Sequence, residues 1–189
     1  MSELHILDAA SAGSQRGGPS FSLLNRIERA VWAVAWGLLA AWTPPPLHGW
    51  RRLVLGLFGA KIARTARIHG SVRIWLPRHL VVGENALVGP RVTLYSMAMI
   101  TLGADSVVSQ GAHLCTGTHD PDDLHFQLLA KPISIGPRAW VAAEAFVGPG
   151  VTIAEGAILG ARAVAFKDVP AWSIQAGNPA RHVRMRRLQ

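Results

Sequence analysis

Three histidines, His113, His119 and His125, follow one another at six-residue intervals in mid-chain, with Asp120, Asp122 and Asp123 between the last two. Imidazole exchanges protons near neutral pH, so a histidine in this setting suits general base catalysis or metal binding. A zinc site would need its ligands brought to one point, with partners to orient the rings. A second group is basic: Lys167, Arg181, Arg184, Arg186 and Arg187 gather towards the C-terminus. Cations of this kind suit a phosphorylated polyanion, although Arg186 and Arg187 also read as a solvated basic tail.

The elements that must position these residues follow from composition and periodicity. Half of the 189 residues are hydrophobic and 16% are charged, which argues for a folded chain, and the net charge of +8 implies a liking for anions. The single cysteine, Cys115, cannot form an internal disulfide and fits a reducing, cytoplasmic setting. The apolar run Ala30 to Trp42 falls short of the roughly 20 residues that span a bilayer and is followed by Pro44-Pro45-Pro46 rather than a cleavage site. Residues 1–19, rich in Ser, Gly and Ala, read as a flexible leader. Residues 20–60 read as helical: Phe21 to Trp42 with Ser20 as N-cap, then Leu47 to Phe58.

From Ile62 a period of six takes over. Aliphatic residues stand at 62, 68 and 74, at 82, 88 and 94, at 102, 108 and 114, and again at 135, 141, 147, 153, 159 and 165, fifteen positions in phase. The residue two before each is usually small or β-branched, and the residue after is often glycine or alanine. Neither an amphipathic helix nor a plain alternating strand has this period; a short strand plus a turn does. The small residue after each aliphatic position is expected to take the turn conformation. The phase breaks between Leu114 and Ile135, where a loop of roughly 120–134 must leave the repeat. His119 stands at its base, at a position that alternation points outward.

The repeat resembles the hexapeptide-repeat acyltransferase family, which implies an all-β fold, a left-handed parallel β-helix spanning about 61–170 with a protruding loop and an N-terminal helical segment. Thr116-Gly117-Thr118-His119-Asp120 is similar to the segment that holds the general base of hexapeptide O-acetyltransferases, so the resemblance implies His119 in that role. The tautomer-fixing partner is left open among Asp120, Asp122, Asp123 and a backbone carbonyl. Ser96 stands where some relatives carry an asparagine, and with Asp120 is expected on the acceptor side. The run from Ile135 through Lys167-Asp168-Val169-Pro170 to Ala176-Gly177-Asn178-Pro179-Ala180-Arg181 resembles the acetyl-CoA half of these enzymes. It implies Trp140 in the acetyl-CoA channel, Ala143 and Ala161 along the pantetheine arm, and Lys167, Arg181 and Arg184 near the phosphates, with residues 171–189 as a cofactor-contacting tail. A homotrimer is implied by the family, and no metal is required because the thioester is already activated.

Pro46-Leu47-His48-Gly49-Trp50-Arg51-Arg52 and Val72-Arg73-Ile74-Trp75 resemble the colanic-acid-biosynthesis acetyltransferase subgroup, implying a sugar or lipid-linked saccharide acceptor. The Trp-rich helix then either caps the open end of the solenoid or lies on the inner membrane face. The rivals are a zinc enzyme like the gamma-class carbonic anhydrases, which share the fold, and a non-catalytic β-helix scaffold. Nucleic-acid binding is disfavoured because few aromatics interleave the basic tail.

Overall fold

Short strands alternate with turns from Lys61 onward because each inward aliphatic residue needs only two or three extended residues to reach the core. In the computed structural model, which describes residues 6–187, these strands stack into three parallel faces. Face I holds Lys61–Ile62, Leu80–Val82, Ile100–Leu102, Ile133–Ile135 and Thr152–Ile153. Face II holds Arg67–Ile68, Leu87–Val88, Val107–Val108, Trp140–Val141, Ile158–Leu159 and Ser173–Ala176. Face III holds Arg73–Ile74, Thr93–Tyr95, His113–Cys115, Phe146–Val147 and Val164–Ala165. The in-phase aliphatic residues stack in register along the three faces, as in Ile68↔Val88 and Leu94↔Leu114. Ala86, Val92, Ala112, Ala139, Ala145, Ala157 and Ala163, each two residues before a repeat position, are buried in the same core.

One expectation is corrected. The left-handed backbone does not fall on the small residue after each aliphatic position but two residues further on, at Asn85, Arg91, Asp105, Arg138, Glu144 and Arg162, with φ of 57° or 58°. The small residue answers to stacking instead. A Cβ on Gly103 would stand 2.5 Å from the Pro137 nitrogen of the next coil.

Helix α1 (Ala9–Ala12) precedes α2 (Leu23–Leu39) and α3 (His48–Leu57). The N-cap of α2 is Ser22 rather than Ser20: its side chain accepts from the Asn25 N–H. The inner face of α2 closes the first coil. Trp32 and Trp36 are buried, and their indole N–H groups donate to the Ile74 and Val72 carbonyls at 2.8 and 3.2 Å. Wholly buried Arg51 fastens α3 by donating to the carbonyls of Thr43, Pro44, Pro45 and Ile68 and to the Thr43 hydroxyl. The capping reading of this region thus holds for its inner face. No helix among the described residues is long and apolar enough to cross a membrane.

The two ends of the chain are more ordered than their sequences imply. Residues 1–5 of the expected leader lie outside the described residues. From Ile6 onward the leader is fixed: Ile6 bridges Phe21, the Leu7 N–H donates to the Ser20 carbonyl at 3.0 Å, and Asp8 caps α1. The C-terminal residues close the last coil, since Arg181–Met185 pairs antiparallel with Ser173–Ala176. Arg186 also donates to the Arg138 and Gly156 carbonyls.

Candidate active site

The arm that breaks the repeat is a β-hairpin, Gly117–His119 paired antiparallel with Leu128–Ala130. It leaves the corner between faces III and I. Buried Thr116 roots it, donating through Oγ1 to the Tyr95 carbonyl at 2.6 Å and accepting from the Ala98 N–H at 3.0 Å. Gly117 lets the arm pass, because a Cβ there would lie 2.4 Å from the Met97 sulfur.

His119 is exposed at the end of its strand, as alternation predicts. Its Nδ1 lies 2.6 Å from the Phe126 carbonyl oxygen. A carbonyl only accepts, so Nδ1 carries the proton and Nε2 of the neutral ring presents its lone pair. Phe126 holds this carbonyl from the left-handed region, at φ 50°. The orienting group is therefore the backbone. Asp120 instead accepts from the Asp122 N–H, and Asp123 accepts from His125 and Gln127, so both stitch the turn.

His119, His125 and Phe126 line an open recess of about 380 Å³ whose other wall is Ser14 and Ser20, from the segment read as a leader. Gln127 ties that segment to the arm: its Oε1 accepts from the Ala9 N–H at 2.7 Å and its Nε2 donates to the Leu7 carbonyl at 3.2 Å. No local sequence signal marks Ser14 or Gln127, and Ser20 reads from sequence only as an N-cap. Only their long-range pairing marks them for this recess. His113 is not part of this recess: it stacks between Tyr95 and Phe146 on face III, and burial lowers its imidazole pKa. Ser96 is not part of it either. It is fully buried, with its hydroxyl accepting from the Leu76 N–H and donating to the Leu76 carbonyl.

The residues expected along the donor substrate are spread over the prism. Lys167 and Arg181 converge on a recess of about 200 Å³ at the end of face III, together with Phe166 and Pro179. Arg184, three residues along the last strand, is exposed and does not line it. Ala143 and Ala161 stack one coil apart at the corner between faces II and III, where the Arg162 N–H donates to the Ala143 carbonyl at 2.9 Å. Trp140 projects from face II, its indole N–H donating to the Ser109 hydroxyl at 2.8 Å, beside Arg138 and Trp172 in a recess of about 370 Å³. His119 and Trp140 thus line different recesses of one chain.

No family model matches the sequence. The chain is 45% identical over 162 residues to the "Putative colanic acid biosynthesis acetyltransferase WcaF" of Escherichia coli (strain K12), a match that covers 86% of this chain and 89% of that protein. The chain belongs to the hexapeptide-repeat acetyltransferases. Its fold matches a maltose O-acetyltransferase from Clostridium difficile 630 with a TM-score of 0.78 at 21% identity, covering 88% of this chain and 90% of that one. A galactoside acetyltransferase in complex with coenzyme A gives 0.78 at 20% identity, covering 89% and 85%. These likenesses establish the left-handed β-helix expected from the repeat. Within this acetyltransferase architecture the hairpin arm and the last coil carry the residues that depart from pure repeat.

Proposed function

We propose that the chain transfers an acetyl group from acetyl-CoA to a hydroxyl of a sugar or exopolysaccharide precursor, with His119 as the general base. The observation that carries this reading is the 2.6 Å contact between His119 Nδ1 and the Phe126 carbonyl, which leaves Nε2 as the acceptor. A saccharide hydroxyl in the Ser14–Ser20–His119 recess gives its proton to Nε2 as its oxygen attacks the thioester carbonyl. The resulting imidazolium returns the proton to the departing thiolate. Acetyl-CoA is a polyanion, and the recess of Lys167 and Arg181 supplies counter-charges for its phosphates. The exposed face of Trp140 and the small residues at 143 and 161 fit the thinner arm.

The separation of His119 and Trp140 on one chain supports a site assembled between subunits. A homotrimer in which one chain's arm meets another's face II would bring the two residues together. The relative named for colanic acid biosynthesis supports the saccharide acceptor, and the lone cysteine supports a cytoplasmic setting.

The test is thiol release from acetyl-CoA with saccharide acceptors. Wild type shows acceptor-dependent release, and His119→Ala lowers kcat by about 10²–10⁴-fold while coenzyme A still binds. Equal rates for the two proteins reject His119 as the base, and no release with any saccharide rejects the acceptor class.

A further inference from the structure

The recess beside His119 continues into a trough whose middle is cationic. Ser20 lines both the His119 recess and a neighbouring one of about 290 Å³, which also holds Phe21, Trp75, Arg26 and Arg29. Arg26, Arg29 and Trp75 in turn line an open recess of about 580 Å³ that carries Leu23 and Ile27. The order along the trough is therefore base, hydroxyl, guanidinium pair, apolar helix face.

The two arginines lack a counter-charge. Neither makes an ion pair among the described residues, and none of the residues lining the three recesses is acidic. Glu28, on the same helix, is engaged with Arg78 at 3.3 Å. The Arg29 guanidinium lies 3.9 Å above the Trp75 ring and 5.1 Å from that of Phe21, and its buried Nε has no hydrogen-bond partner. Burial, and then the neighbouring Arg26, lower the pKa of Arg29. Two like charges a turn apart on α2, one partly desolvated over an indole ring, are unfavourable unless an anion completes them. A stacked guanidinium presents its edge N–H groups to phosphate oxygens in fork geometry.

We infer that Arg26 and Arg29 bind the diphosphate of an acceptor whose sugar occupies the Ser20–His119 recess. The inference rests on the acceptor reading above and narrows it to a diphosphate-linked saccharide. The carrier on the far side of the diphosphate is a nucleoside or a lipid, and it lies towards Leu23 and Ile27, both exposed.

The direct probe is inorganic pyrophosphate, titrated calorimetrically into the full chain with coenzyme A present in excess to fill the Lys167–Arg181 recess. Wild type binds, and Arg26→Ala weakens binding about tenfold or more. Arg29→Lys keeps the charge but loses the fork, and falls between the two. Arg26 is exposed, so its replacement leaves the fold intact, which unchanged melting verifies. Absence of pyrophosphate binding by wild type, or equal binding by wild type and Arg26→Ala, overturns the site. In acetyl transfer, the ratio of kcat/KM for a diphosphate-linked saccharide to that for the free saccharide falls about tenfold or more in Arg26→Ala; an unchanged ratio also overturns it. If no acceptor is acetylated by wild type, the transferase reading fails while calorimetry still decides the anion site. A sugar nucleotide and a lipid-diphosphate saccharide in micelles are compared last. A loss confined to the lipid-borne acceptor in Leu23→Ser assigns a lipid carrier; equal behaviour of both acceptors assigns the nucleoside.

Discussion

At the scale of the residue, the structure separates two demands that the repeat superimposes. At the third residue of the turn, left-handed backbone is carried by Asn, Asp, Arg and Glu in six turns and by Gly111, Gly150 and Gly156 in others, at a local cost of about 1–2 kcal/mol where the side chain has a Cβ. At the small residue two positions earlier, absence of a Cβ instead answers to the approach of the next coil. Gly103→Ala would force its methyl against the Pro137 nitrogen and the Gly136 carbonyl carbon. It is expected to cost about 1–3 kcal/mol and lower Tm by roughly 3–10 °C in thermal melts followed by circular dichroism. Gly37 is the control: it lies inside α2 with no atom within 4 Å of an added Cβ. Gly37→Ala should raise stability by about 0.5–1 kcal/mol. If both substitutions move Tm the same way, inter-coil approach is not what selects glycine at 103.

At the scale of the element, the β-helix was legible because every coil restates the same constraint, so the period survives the exceptions. The hairpin arm was legible only as an interruption of phase, which is why His119 could be placed at its base from sequence while the residues it meets could not. Ser14 and Ser20 meet it through Gln127, which contacts Ala9 across 118 positions of sequence; no periodic pattern encodes such a contact. The joint between α3 and the first coil was half-legible, since Pro44-Pro45-Pro46 stops the helix but the stapling by Arg51 depends on which carbonyls the turn exposes. Arg51→Lys cannot reach five acceptors from one ammonium and should cost about 2–4 kcal/mol, read as a lower Tm at constant pH. His48 and His69, whose rings stand 5.6 Å apart beside Arg51, have pKa values pushed below the usual 6.5, first by burial and then by charged neighbours; His79 is lowered chiefly by burial. Imidazoles with depressed folded-state values bind fewer protons folded than unfolded, so stability falls as pH drops below about 6.5 and keeps falling until the folded-state values are reached. A Tm that is flat between pH 7.5 and 5, with the three histidines present, contradicts this.

At the scale of the whole molecule, the prism offers three outer faces, and the chemistry is divided among them. His119, the proposed base, rides on an arm from the corner between faces III and I, Trp140 stands on face II, and the cationic recess ends face III. The outward side of α2 and α3, with Leu23, Ile27, Val31, Val34, Leu38, Trp42 and Leu53 exposed, lies at the opposite end of the stack from Lys167. On the proposed reading, this arrangement gives the donor substrate one end and leaves an apolar, arginine-bordered end for the acceptor, with the arm between them. The division has a consequence that one chain alone cannot show. If His119 of one subunit works with Trp140 of the next, His119→Ala and Trp140→Glu chains are each inactive alone but complementary when mixed. In randomly assembled trimers of equal parts, a site is intact only when the arm comes from a Trp140→Glu chain and the facing side from a His119→Ala chain, which gives about a quarter of wild-type activity. Co-refolding the two variants and assaying thiol release measures that fraction. Recovery near a quarter fixes the shared site, and no recovery, with trimers verified by sedimentation, places both residues in a site within one chain or removes Trp140 from it.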